Sequence, residues 1–197
     1  MTRIMCVLTL LACSTVGSQA AIIQFDAALL GASENPPVVT PGQGYALVTF
    51  DTTAHTLMVH ASFSDLVGPT TVAHIHCCTV PTANAGVATY PGTFPGFPAG
   101  VTSGTYDSVT PIDLTLAASY TAAFLNNFGG GTPAGAEAAL LQGLLDGQAY
   151  FNIHSTYSPG GEIRGTLAQV PEPGSFTLAG LALAAAAVGY CRRRRAA

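Results

Sequence analysis

From residue 22 to residue 168 the chain alternates apolar and polar positions with a period of two, as half-buried antiparallel strands do. The cleanest run is Thr56 to Leu66, where Leu57, Val59, Ala61 and Phe63 alternate with Met58, His60, Ser62 and Ser64. Two earlier runs, Ile22 to Leu30 and Tyr45 to Phe50, also read as strands, separated by the breakers Glu34-Asn35-Pro36-Pro37 and Pro41-Gly42. Gly68-Pro69 turns the chain into a further strand, Thr71 to Cys77. Residues 79–100 then change to Pro, Gly, Ala and Thr, a loop long enough to be either functional or mobile. Ser103 to Leu114 resumes as a strand broken at Pro111, which points to an edge or a bulge.

The period then changes to that of helices. Ala117 to Phe124 is one candidate. Ala136 to Leu145 is another, with Leu140, Leu141, Leu144 and Leu145 on one stripe and Gly147 as the stop. Gln148 to His154 and Glu162 to Ala168 form a hairpin across Ser158-Pro159-Gly160-Gly161. The pattern predicts a mainly β fold, a Greek-key sandwich or barrel with one or two short helices.

Both ends depart from this pattern. Residues 1–20 combine Arg3, an apolar run from Ile4 to Ala12, and the small residues Ser18 and Ala20, which predicts an export signal cut by signal peptidase after Ala20. Leu10-Leu11-Ala12-Cys13 offers an alternative, a lipidation box at Cys13. At the other end, Val170-Pro171-Glu172-Pro173 precedes an uncharged stretch, Ser175 to Cys191, and then Arg192, Arg193, Arg194 and Arg195. As a helix this stretch spans about 25 Å, enough to cross a bilayer at the short end of the range, with the arginines on the cytoplasmic side. The expected divisions are residues 1–20, 21–169 and 170–197, with a transmembrane helix over 175–191. Residues 21–170 carry nine acids and one base, Arg164, a net charge of −8. Such a surface repels nucleic acid and favours cations or basic partners.

Candidate chemistry gathers in a few places. His74 and His76, two apart on a strand, share a face at roughly 6–7 Å. An H-x-H pair can begin a copper or zinc site, and His154 is the natural third ligand. Hydrogen-bonded structural contacts between strands are the plainer reading and come first. Glu162 and Arg164 also share a face, as an organising ion pair or a ligand contact. Cys77 and Cys78 are the two cysteines left once both ends are set aside. In an oxidising compartment they suit a vicinal disulfide at the mouth of the loop. Metal ligation beside His76 and two free thiols are the alternatives. No nucleophile elbow, H-E-x-x-H helix or phosphate loop is present.

Three segments together, Ala73-His74-Ile75-His76, Gly147-Gln148-Ala149-Tyr150-Phe151-Asn152-Ile153-His154-Ser155 and Pro159-Gly160-Gly161-Glu162-Ile163-Arg164-Gly165, resemble the CHRD (chordin) domain. The resemblance covers about residues 25 to 168 and implies an immunoglobulin-like β-barrel or sandwich. The sequence departs from the family pattern at Cys77 and Cys78, where a Gly-Pro pair is common. The tail, Val170-Pro171-Glu172-Pro173 with its hydrophobic span and arginines, resembles the PEP-CTERM sorting signal. That resemblance implies recognition by an exosortase, cleavage near the motif, transient inner-membrane anchoring, and release to the surface or extracellular matrix of a Gram-negative bacterium that makes biofilm. The expected function is a non-catalytic surface module that binds a protein, a glycan or a cation. The alternative is a copper- or zinc-dependent redox enzyme on His74, His76 and His154.

Overall fold

The alternating pattern is carried into three nine-residue strands, β1 (Ile22–Leu30), β2 (Gln43–Asp51) and β3 (Thr56–Ser64). They pair as an unbroken antiparallel meander, from Ile22 opposite Asp51 to Leu30 opposite Gln43, and from Gln43 opposite Ser64 to Asp51 opposite Thr56. Every second side chain turns inward: Ile23, Phe25, Ala27 and Leu29 from β1, Ala46, Val48 and Phe50 from β2, Leu57, Val59, Ala61 and Phe63 from β3. The β2–β3 turn is tied by Asp51 Oδ1, which accepts from the N–H groups of Thr53 and Ala54.

These coordinates are a computed structural model, which describes residues 22–171. The remaining strands are β4 (Thr70–His76), β5 (Gly104–Asp107), β6 (Ile112–Asp113), β7 (Tyr150–Ser155), β8 (Ile163–Thr166) and β9 (Ala168–Gln169). Together the strands make one curled antiparallel sheet in the order β4-β7-β8-β1-β2-β3-β5, with β6 on β3 and β9 on β1. Of the two architectures the sequence allowed, this is the barrel-like one. The sheet curls far enough that segments from its two halves meet: Thr70 N–H donates to Val101 O, and Gly100 N–H donates back to Thr70 O. The Pro111 break falls between β5 and β6, both of which lie on the outer side of β3.

The helical region differs from expectation in two places. In place of one helix over 117–124, a 3-10 turn (Ala117–Ser119) is followed by α1 (Ala122–Asn127). Thr121 forces the break. It is extended, its hydroxyl donates to Val87 O, and it caps α1 by accepting from Phe124 N–H. The second helix, α2 (Pro133–Leu145), begins a turn earlier than the leucines suggested, because Thr132 caps it with Pro133 in the first turn. Its buried stripe is Ala136, Leu140, Gly143 and Leu144, while Leu145 faces outward.

The long segment after β4 is part of the core. Phe94 stacks on Phe151 at 5.8 Å and Phe97 on Phe63 at 5.8 Å, and both are buried. The signal at residues 1–20, the helix over 175–191 and the four arginines lie outside the described residues. Among the described residues no helix is long and apolar enough to cross a membrane.

Cys77 and Cys78 are joined by a disulfide, and their sulfurs rest against α2. Gly143 makes this contact possible, since a Cβ there would collide with both Sγ atoms. Gly143→Ala is therefore expected to destabilise the oxidised protein by about 1–2 kcal/mol, although alanine is the better helix former by about 1 kcal/mol. Urea unfolding checks the sign. In a Cys77→Ala/Cys78→Ala background the same change should be neutral or stabilising.

Candidate functional site

Register brings the site together. His74 stands opposite Asn152, His76 opposite Tyr150, and Val72 opposite His154, while Asn152 stands in turn opposite Arg164. One face of β4, β7 and β8 therefore carries His74, His76, Tyr150, Asn152, His154 and Arg164. The other face sends Ala73, Ile75, Phe151, Ile153 and Ile163 into the core. All six residues of the polar face are buried as well. Strands buried on both sides must satisfy their polar groups internally.

The three histidines do this in the same way. His74 Nε2 donates to Gly92 O at 2.6 Å, His76 Nδ1 to Ala85 O at 2.9 Å, and His154 Nδ1 to Pro159 O at 2.9 Å. A carbonyl only accepts, so each of these nitrogens carries the hydrogen. In a neutral ring the other nitrogen is then an acceptor. Burial lowers the pKa of all three, to about 4 for His76, against the opposing pull of the carbonyls. The rings are neutral at neutral pH. One nitrogen from each lies within 4.8 Å of the others, and His74 Nδ1 comes 3.4 Å from His154 Nε2. With both of these atoms acceptors, no proton lies between them.

Tyr150 is the shared wall. His76 stacks on its ring at 4.8 Å, and the Arg164 guanidinium sits 4.6 Å from the ring centroid. Arg164 donates through Nε to Ser33 O and through Nη1 to Asn84 Oδ1, and lies 3.7 Å from Glu34 Oε2. Burial pushes the Glu34 carboxyl up to about 7, with Arg164 pulling it down.

This corrects the expected pairing of Glu162 with Arg164. Glu162 precedes β8, and Gly161 before it takes φ +130°, so the strand's alternation does not extend to it. Its carboxylate instead accepts from the hydroxyls of Thr40 and Ser155 and the N–H groups of Val67 and Gly68. Burial works to raise its pKa, but these four donors outweigh it and hold the group below the usual carboxylate range. The acid beside Arg164 is Glu34, which the sequence presented only as part of a turn before two prolines. The cysteine sulfurs face α2, and Cys77 is buried in the core, so neither sulfur joins the histidines. His55 and His60 are exposed and paired with Glu137 and Asp107.

Among the described residues, the buried side-chain nitrogens and oxygens without a partner are Glu34 Oε1, His76 Nε2 and Asn152 Oδ1. All three belong to this site, where Glu34 and Asn152 meet over Gly161.

Residues 25–167 match the family model of the CHRD domain. The chain belongs to the CHRD domain family. Every residue of the polar face falls inside the match. Residues 169–195 match the PEP-CTERM protein-sorting motif, which implies export with exosortase processing in a Gram-negative bacterium. No curated protein and no solved structure matches the chain.

Two outcomes test these contacts. Glu162→Ala strands four donors and should cost about 3–5 kcal/mol in urea unfolding. Glu34 holds its proton to higher pH when folded than its ordinary 4.5, so its contribution to stability falls as pH rises from about 4.5 through 7. Glu34→Gln removes that dependence. Relative to wild type the variant should gain about 3 kcal/mol between pH 4.5 and pH 8, read from unfolding curves across the range.

Proposed function

We propose that this protein is a non-catalytic surface or matrix component whose CHRD domain is a binding module, released to the outside once an exosortase has cut the tail. The observation that carries this reading is the junction of domain and sorting motif. The final strand, β9, pairs Gln169 with Phe25, and Val170 N–H donates to Gln24 O. Beyond Val170 the chain leaves the sheet at an exposed Pro171, where the sorting motif has already begun. A cut near Pro171 to Pro173 therefore frees the domain without opening a strand. The first described strand begins beside this exit, with Ile22 at its start, two residues after the expected cut at Ala20.

The ligand class follows from charge and from the site. A domain with nine acids and one base, and buried acceptors without donors, suits a cation or a basic protein surface better than an anion. The second reading, a copper or zinc redox enzyme, is favoured by the convergence of His74, His76 and His154. Against it, the His76 acceptor nitrogen is fully enclosed, whereas a catalytic metal keeps an open position.

Mass spectrometry of the mature protein tests the export reading. In a Gram-negative host with a matching exosortase, the mature chain should begin at Ala21, lack Arg192 to Arg195 and leave the membrane fraction. In the same host without the exosortase, it should keep the arginines and stay in the membrane. An arginine tail retained in both hosts would establish a permanent anchor and overturn the proposal.

A further inference from the structure

The histidine cluster has an order that structural contacts alone do not require. Three rings from two strands each spend one N–H on a main-chain carbonyl, and the carbonyls come from separate places. Ala85 and Gly92 lie in the long segment after β4, and Pro159 in the turn between β7 and β8. The carbonyls set the tautomer of each ring, and in doing so leave His74 Nδ1, His76 Nε2 and His154 Nε2 as acceptors. These acceptors do not find donors. His76 Nε2 has no partner, and His74 Nδ1 faces His154 Nε2 across 3.4 Å. A buried acceptor without a donor is destabilising, because it gives up its hydrogen bond to water and regains none. A fold that needed only structural contacts would relieve this by turning one ring over.

Metal ligation requires this arrangement. A ligating imidazole offers one nitrogen to the ion and donates its other N–H to a carbonyl or carboxylate, which fixes the ring. Each of the three rings has that outer partner in place. The donor set is all nitrogen, with no carboxylate in the cluster, which disfavours calcium and magnesium and suits zinc or copper. We infer that His74 Nδ1, His76 Nε2 and His154 Nε2 form a three-nitrogen site for one zinc or copper ion. The inference rests on the binding-module reading and names its cation. The ion would cross-link β4 to β7 and, through the carbonyls, fasten the segment after β4 and the β7–β8 turn to the same point. It is a stabilising centre at the binding face and demands no turnover.

The test uses the full-length protein in detergent, purified without added metal and stripped with a chelator. Titration with Zn2+ or Cu2+ alone should give one ion per chain, with Ca2+ and Mg2+ inert. Because Cu2+ outbinds Zn2+ at most nitrogen sites, the ion carried by the protein before stripping identifies the metal. Co2+ should give the visible absorption of a tetrahedral, nitrogen-rich site. His76→Ala and His154→Ala should each weaken binding by more than about 100-fold, a larger loss than removal of an outer partner causes. His60→Ala, at an exposed pair, should change nothing.

A second measurement does not depend on the variants folding. Nitrogen-15 NMR of the metal-free wild type should show the hydrogen on Nε2 of His74 and on Nδ1 of His76 and His154. Added Zn2+ should shift the other three nitrogens. A folded wild type that binds neither ion stoichiometrically, binding that survives His76→Ala, or the opposite tautomers would each overturn the site. A metal-free protein still exported and cut would leave the surface-module reading standing. A zinc-binding protein that kept its arginine tail would overturn that reading and leave the site.

Discussion

A slip of one residue in β4 against β7 would turn Ala73 and Ile75 out of the core and His74 and His76 into it. Much else depends on that register. With it, the apolar side of these strands closes the core against Phe94 and the meander, and the polar side holds three histidines, Tyr150, Asn152 and Arg164. Without it, two imidazoles would enter the core in place of two apolar side chains. The energy gap between these arrangements is large because both faces are buried. Such strands ordinarily read as continuous apolar runs, so the polar face has to be covered by groups that satisfy it.

The segment after β4 supplies much of that cover. It contributes Phe94 and Phe97 to the core, the carbonyls of Ala85 and Gly92 to the histidines, and Asn84 to Arg164. A stretch of main chain without regular structure has carbonyls to spare, because no ladder uses them. That explains how a loop rich in Pro, Gly and Ala, with few polar side chains, can serve a polar site. The turn after β1 does the same for the guanidinium through Ser33 O and Glu34. The sole base among residues 22–171 is thereby buried with one carboxyl, a stacked tyrosine and two oxygen acceptors, each answering part of its desolvation cost.

What could be read from the sequence follows the range of each interaction. The meander was legible to within two residues at each strand end, because side chains such as Leu57, Val59, Ala61 and Phe63 obey a local period. Alternation places His74 and His76 on one face and offers His154 as a third partner, but it is the β4–β7 register that brings the three within 4.8 Å of one another. Glu34 was not legible. Nothing local distinguishes it from eight other acids, and its role depends on a turn folding back over β8. Glu162 misled for a related reason: the period was extended one residue past the point where Gly161 ends it. The break in the first helix likewise turned on Thr121, whose hydroxyl reaches Val87 O, a contact 34 residues distant.

The two ends of the described fold complete the logic. β1 runs beside β9, so the start of the described chain at Ile22 and the point at which the sorting motif begins lie next to one another on one strand pair. The polar face is held at the other end of β1, through the pairing of Leu30 with Arg164. The exit of the chain and the polar face are thus separated along a single strand: Gln24 and Phe25 tie down the exit, and Leu30 meets the strand that carries the guanidinium. The described ladders all lie between residues 22 and 169. The groups that cover the polar face, Ser33, Glu34, Asn84, Ala85, Gly92 and Pro159, lie within the described residues.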